Sequence, residues 1–264
     1  MKVYTKNIDF YYFSGTGNTL LVVKKMKEVF ESKGVAVTLF PIEKSDPTKV
    51  NLQHVIGFAF PVAIQGTYPF VWNFIESLPL TEDTKIFMID TLQKFSGGVV
   101  GNIKKIVKKK GYEPIGAKEI KMNNNFLPES IDQDKNDKII KEGIEEAAEF
   151  AKDILHDRTE WKRVPIISDI FSFFSKTDFM WGMMRKASSW QLDEEKCTKC
   201  GLCERMCPID NIKMNEYPEF LGKCTFCMRC ISFCPTEAIY LPDKEYKLYR
   251  AVNERELLRN KKYN

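Results

Sequence analysis

Phe13-Ser14-Gly15-Thr16-Gly17-Asn18-Thr19-Leu20 lies between an apolar run, Ile8 to Phe13, and a stretch of helical periodicity, Leu20 to Glu31. The pattern reads as strand, glycine turn and helix. In an α/β fold such a turn presents the free N–H groups of a helix N-terminus, and phosphate binds there. The dinucleotide fingerprint needs a third glycine where this chain has Leu20, and the nucleotide P-loop needs a lysine where it has Asn18. The turn carries hydroxyls instead: Ser14, Thr16 and Thr19. Hydroxyls and backbone N–H groups together suit a terminal phosphate monoester without a cation.

The same alternation continues outward. Val35 to Phe40, Val55 to Phe60, Ile86 to Thr91 and a run within Glu113–Met122 read as strands. Pro69 to Leu78, Val99 to Lys110 and Asp132 to Leu155 read as helices. The last should bury Ile139, Ile140, Ile144, Ala147, Ala148, Ala151 and Ile154. Alternating strands and helices imply a parallel sheet covered on both faces, in the doubly wound order 2-1-3-4-5.

All eight cysteines lie beyond this region, in CTKCGLCERMCP (Cys197 to Pro208) and CTFCMRCISFCP (Cys224 to Pro235). The two runs are one repeat at an offset of 27 residues, and it extends into PIDNI (208–212) and PTEAI (235–239). Three thiolates at C-x2-C-x2-C spacing on one tight loop reach three irons of one cube. Zinc usually takes paired C-x2-C units, which the third cysteine spoils. Gly201 allows close backbone approach to a cluster, while Met228 at the equivalent place implies less need for it in the second loop.

The cysteine runs resemble the bacterial-type two-[4Fe-4S] ferredoxins over about residues 191–242. In that type the fourth cysteine of each run ligates the other cluster. The resemblance implies one cluster on Cys197, Cys200, Cys203 and Cys234, and a second on Cys224, Cys227, Cys230 and Cys207.

The S-x-T-G-x-T turn and the five β–α units resemble the flavodoxins over roughly residues 6–157. This implies FMN, its phosphate on Ser14, Gly15, Thr16, Gly17, Asn18 and Thr19. Its ring would lie between the loops after the third and fourth strands. Pro61, Val62, Ala63 and Tyr68 in the first, and Thr91, Phe95, Gly97 and Gly98 in the second, are the implied contacts. Tyr68 and Phe95 are the candidate ring partners, since Ala63 and Ile64 stand where an aromatic often lies. The domain order is similar to that of flavodoxin–ferredoxin fusion proteins of anaerobic prokaryotes.

The expected organisation is a flavodoxin-like domain at 1–157, an aromatic connecting segment at 158–190, a ferredoxin domain at 191–242 and a basic tail at 243–264. The connecting segment holds Trp161, Phe171, Phe173, Phe174, Phe179, Trp181 and Trp190, too aromatic for a free linker.

Composition narrows the function. The chain has 264 residues, 44% hydrophobic and 29% charged, with a formal charge of +4. Two clusters with their thiolates would bring roughly −2 each. Residues 191–242 already hold eight acidic against six basic side chains. The basic pI is therefore no nucleic-acid signal. No run of about 18 apolar residues suggests a membrane span. The opening residues run straight into a strand rather than a signal peptide, which points to the cytoplasm. His54 and His156 lack ligand spacing, and Lys104, Lys105, Lys108, Lys109 and Lys110 read as a solvated helix face.

The expected function is electron transfer between FMN, two [4Fe-4S] clusters and an external redox partner protein, with no catalytic residue assigned. A flavin-dependent reductase is the alternative, with Asp90, Tyr68 or Lys94 as proton donor. So is a cluster protein responsive to iron or oxygen. A homodimer would allow transfer between chains.

Overall fold

The computed structural model describes residues 6–94, 98–162, 176–187, 189–242 and 244–258. Strand β1 (Asn7–Tyr12) enters the glycine turn and helix α1 (Asn18–Glu31). There follow β2 (Ala36–Pro41), β3 (Val55–Pro61), α2 (Pro69–Glu76), β4 (Lys85–Leu92), α3 (Val99–Lys109), β5 (Glu113–Lys121) and α4 (Gln133–Leu155). The five strands pair in parallel in the order β2-β1-β3-β4-β5, the flavodoxin-like order that the alternation predicts. Helices cover both faces, so the central strands are near-continuous apolar runs rather than alternating ones.

On one face, Leu20, Val23, Met26 and Phe30 of α1 and Ala147, Phe150 and Ala151 of α4 pack on Phe10, Phe87 and Ile89. On the other, Val71, Trp72 and Ile75 of α2 and Val99, Ile103 and Val107 of α3 pack on Tyr11, Phe58, Phe60 and Met88. Gly57 in β3 makes room for Phe10 and Phe87 to meet edge-on at 5.2 Å; a Cβ there would come within 2.6 Å of Phe87 Cζ.

The stripe on α4 differs from the expected one. Ala147 and Ala151 are buried, but Ile139, Ile140, Ile144, Ala148 and Ile154 are only half-buried. Gly143, Phe150 and Leu155 complete the buried stripe. Gly143 lets the helix approach closely, since a Cβ there would lie 2.6 Å from Met122 Sδ. The seam is thus small residues flanked by isoleucines. The lysine face of α3 also departs from expectation. Lys104 and Lys110 are half-buried and donate to the carbonyls of Trp161 and Leu78.

The described ends of the connecting segment bury two of its aromatics. Trp161 is buried, and its indole donates to the Val100 carbonyl at 2.9 Å. Helix α5 (Asp178–Ala187) buries Trp181 against Tyr68 and exposes Phe179. Phe171, Phe173 and Phe174 lie outside the described residues.

The cysteine region is built from two short antiparallel ribbons, Gln191–Leu192 with Ile239–Tyr240 and Ile212–Met214 with Pro218–Phe220. The core on the α2/α3 face continues into it through Phe226, Met228, Ile231 and Ile239. The chain then returns to the first domain. Lys247 N–H donates to the Pro128 carbonyl, and Glu256 pairs with Lys24 of α1. Among the described residues, no helix is long and apolar enough to cross a membrane.

Candidate functional site

The glycine turn is held from both sides. Gly17 caps α1 at φ +115°, a conformation that side chains avoid. Ser14 Oγ accepts from Leu20 N–H at 3.2 Å, and Thr19 Oγ1 meets Thr91 Oγ1 at 2.8 Å. Asn18 donates to the Asn123 carbonyl at 2.8 Å. From the far end of the chain, Tyr249 donates to Asn18 Oδ1 at 2.7 Å and Ala251 N–H donates to the Thr16 carbonyl at 2.8 Å. Thr16 Oγ1 remains, buried and without a partner.

Beside this turn lies a cavity of about 430 Å³, open above the carboxyl ends of the strands. That is within the size range of small-molecule sites and at their usual place in an open α/β sheet. Ser14, Gly15, Thr16, Asn18, Thr19, Pro61, Val62 and Thr91 line it, as their motif positions suggest. Others behave differently. Gly17 packs on Val252, and Ala63 pairs with Gly66 inside a tight turn. Tyr68 is buried between Phe13 and Trp181, away from the cavity. Gly98 caps α3. Phe95 and Gly97 lie outside the described residues.

Further lining comes from Ile64, Gln65 and Gln93 of the two loops after the third and fourth strands, and from a run the motif did not single out, Asn123-Asn124-Asn125-Phe126. Three successive amides at the carboxyl end of the fifth strand were the available signal. Ile64 and Gln65 both have positive φ, 47° and 60°. For a β-branched residue this is a strained state, of the kind that the surroundings hold in place at ligand sites. Of the candidate proton donors, Lys94 lines the cavity. Asp90 does not; it is fully buried with both oxygens unpartnered. Burial, and then the charge of Glu119, push its carboxyl well above the usual range.

The cysteines fall into two groups. Cys207, Cys224, Cys227 and Cys230 line one small space, and Cys197, Cys200, Cys203 and Cys234 line another. Each group takes three thiols from one run and the fourth from the other. The repeat persists in the backbone. Lys199 and Phe226 have φ of 56° and 54°, Gly201 and Met228 both 67°, and Asp210 and Glu237 50° and 53°. Met228 therefore takes the same left-handed conformation as Gly201. Backbone N–H groups point at sulfur in matching places: Asn211 to Cys207 Sγ at 3.2 Å, Ala238 to Cys234 Sγ at 3.3 Å. Burial pushes the Cys203 thiol up to about 11 and the Cys227 thiol up to about 12. Ionised sulfur in these places needs a counter-charge, which a bound metal group supplies.

Residues 190–213 and 220–240 match the 4Fe-4S binding domain family. The C-terminal region is a 4Fe-4S ferredoxin domain, with one matched segment for each half of the repeat. The sheet region is similar to solved flavodoxins. Oxidised Flavodoxin 2 from Bacillus cereus is 18% identical, over 57% of this chain and 98% of that one, with a TM-score of 0.45. A short-chain flavodoxin associated with a PDU bacterial microcompartment is 17% identical, over 58% and 99%, at 0.44. A flavodoxin from the domain Archaea is 14% identical, over 55% and 99%, at 0.38. At these scores the flavodoxin-like description rests on the strand order itself. Among curated proteins, no relative matches the chain.

The two sites meet. A Cβ on Gly15 would lie 2.5 Å from the Cys227 carbonyl oxygen, so the glycine turn and the cysteine loop touch backbone to backbone. Arg229 is buried at this junction. Its Nε and Nη2 donate to the Ser14 carbonyl at 3.0 and 2.9 Å, and Nη2 pairs with the buried Glu43 carboxylate at 2.7 Å. Its guanidinium also lies over the Phe13 ring at 4.7 Å. Phe126 of the cavity wall meets Phe226 of the cysteine loop, ring centroids 6.4 Å apart.

Proposed function

We propose that this chain is an iron–sulfur flavoprotein electron carrier with FMN in the cavity and a [4Fe-4S] cluster in each cysteine cage. Bound FMN exchanges electrons singly or in pairs, and each cluster exchanges one. The observation that carries the reading is the junction. A cage of four cysteines lies directly against the glycine turn of a cavity built for a phosphate-bearing ligand, within one chain.

The residues present suit both groups. The unpartnered Thr16 hydroxyl offers a buried donor for a phosphate oxygen, beside the hydroxyls of Ser14 and Thr19. Pro61, Val62 and Ile64 supply an apolar wall for a ring, and Gln65 and Asn125 supply amides for its polar edge. The cages set Phe226, Met228 and Ile239 beside the sulfurs and present N–H groups to them. Arg229 and Phe126 fix the separation of cavity and cage. The contacts favour transfer inside one chain over transfer between the chains of a dimer. They also favour four segments: the flavodoxin-like 1–157, the connector 158–190, the ferredoxin 191–242 and a tail that braces the glycine turn. The outer reaction partner is a separate redox protein.

Anaerobic reconstitution tests this. Eight irons, eight sulfides and one FMN per chain are expected, with flavin and cluster signals that bleach in turn during stepwise reduction followed by visible absorption and EPR. Four or fewer irons in a fully loaded sample, zinc in the cages, or no flavin uptake would overturn the reading.

A further inference from the structure

The two cages are alike in backbone but not in surroundings. Cys200 stands exposed at the rim of one, while Cys227 is buried in the other against the glycine turn. Reducing a cluster adds a negative charge, and burial makes that charge costlier. The deeper cage should therefore be the harder to reduce unless its sulfurs are compensated. N–H groups bonded to cluster sulfurs stabilise the reduced state and raise the potential.

Compensation is uneven: the Thr236 hydroxyl lies 3.8 Å from Cys234 Sγ of the outer cage, and the rest of the difference is in N–H donors. Each cage has its backbone N–H on the departing cysteine, from Asn211 and from Ala238. The deeper cage has two more, both on Cys224 Sγ: the Phe226 N–H at 3.3 Å and the indole N–H of Trp190 at 3.2 Å. Trp190 is held by its own packing on Phe226, ring centroids 5.7 Å apart. The repeat sharpens the point. An offset of 27 residues from Trp190 falls on Tyr217, whose ring instead carries the Lys199 ammonium 4.1 Å above its centre. Among the described residues, no side-chain N–H bonds a sulfur of the outer cage.

We propose that Trp190 is a potential-setting residue for one cage only, raising the reduction potential of the cluster on Cys207, Cys224, Cys227 and Cys230 so that this buried site accepts electrons from the neighbouring cavity. It is a positioning residue, acting through Cys224. The proposal rests on the two-cluster reading above.

The test is an EPR-monitored redox titration of the reconstituted full chain and of Trp190→Phe, with iron counted in both. Phenylalanine keeps an aromatic ring beside Phe226 and removes the donor together with the second ring. One of the two one-electron waves should move negative by about a tenfold change in its equilibrium, ~59 mV, while the other stays in place. Eight irons with both waves unmoved, or with both moved equally, overturns the role of Trp190 and leaves the cluster reading standing. A wild-type chain with a single wave and four irons overturns both. Should the phenylalanine variant fail to load, β-(3-benzothienyl)alanine at position 190 keeps the bicycle without the N–H, and the same outcomes decide.

Discussion

Strands of six to nine residues hold the first half of the molecule, and ribbons of two and three residues hold the second. The sheet closes its own core on both faces. The cysteine half cannot: ribbons this short are not stable alone. It leans on the α2/α3 face of the sheet through Phe226, Met228 and Ile231, and on whatever its sulfurs bind. The difference separates a half that folds by burial from one that folds by burial plus ligation.

Stripping the metal is the harshest way to break that comparison. In cluster-free protein, amides across 191–241 should exchange within minutes while β1, β3 and β4 stay protected, read by hydrogen exchange with mass spectrometry.

Next in size is the junction. Arg229→Met strands the buried Glu43 carboxylate and takes two donors from the Ser14 carbonyl. A loss of about 3–5 kcal/mol is expected by urea unfolding. Arg229→Met with Glu43→Leu should recover much of it. If the single variant unfolds like wild type, the two halves are not coupled through this pair.

The smallest effect sharpens the claim that the sheet half is self-sufficient. Asp90 is buried with neither oxygen bonded, and its folded carboxyl is raised well above the usual range, chiefly by burial. Its contribution is therefore present only in acid and is lost as pH rises through the folded value. Asp90→Leu should stabilise at pH 7 by about 1–3 kcal/mol, measured by thermal and urea unfolding.

What the sequence made legible follows from how local each signal is. The strand–turn–helix order and the hydroxyls of Ser14, Thr16 and Thr19 are all read within a few residues. So is the cysteine spacing. The part played by Arg229 is not legible, because its partners Ser14 and Glu43 are brought to it only by the fold. Tyr68 was misplaced for a related reason. An aromatic in a loop after a sheet strand suits a flat ligand, but here Trp181 from the connector covers it and the ring joins the core. Met228 takes the same left-handed backbone as Gly201, a feature of loop shape that the cysteine spacing alone does not reveal.

Asn18 and Tyr249 are bonded across 231 positions of chain. A ribosome therefore makes the glycine turn long before the strap that braces it. The last sheet strand ends at Lys121, so every strand is made before Tyr249 and Ala251 reach the turn. A chain cut after Tyr246 would keep every strand of the sheet and lose the bonds of Tyr249 and Ala251 to the glycine turn.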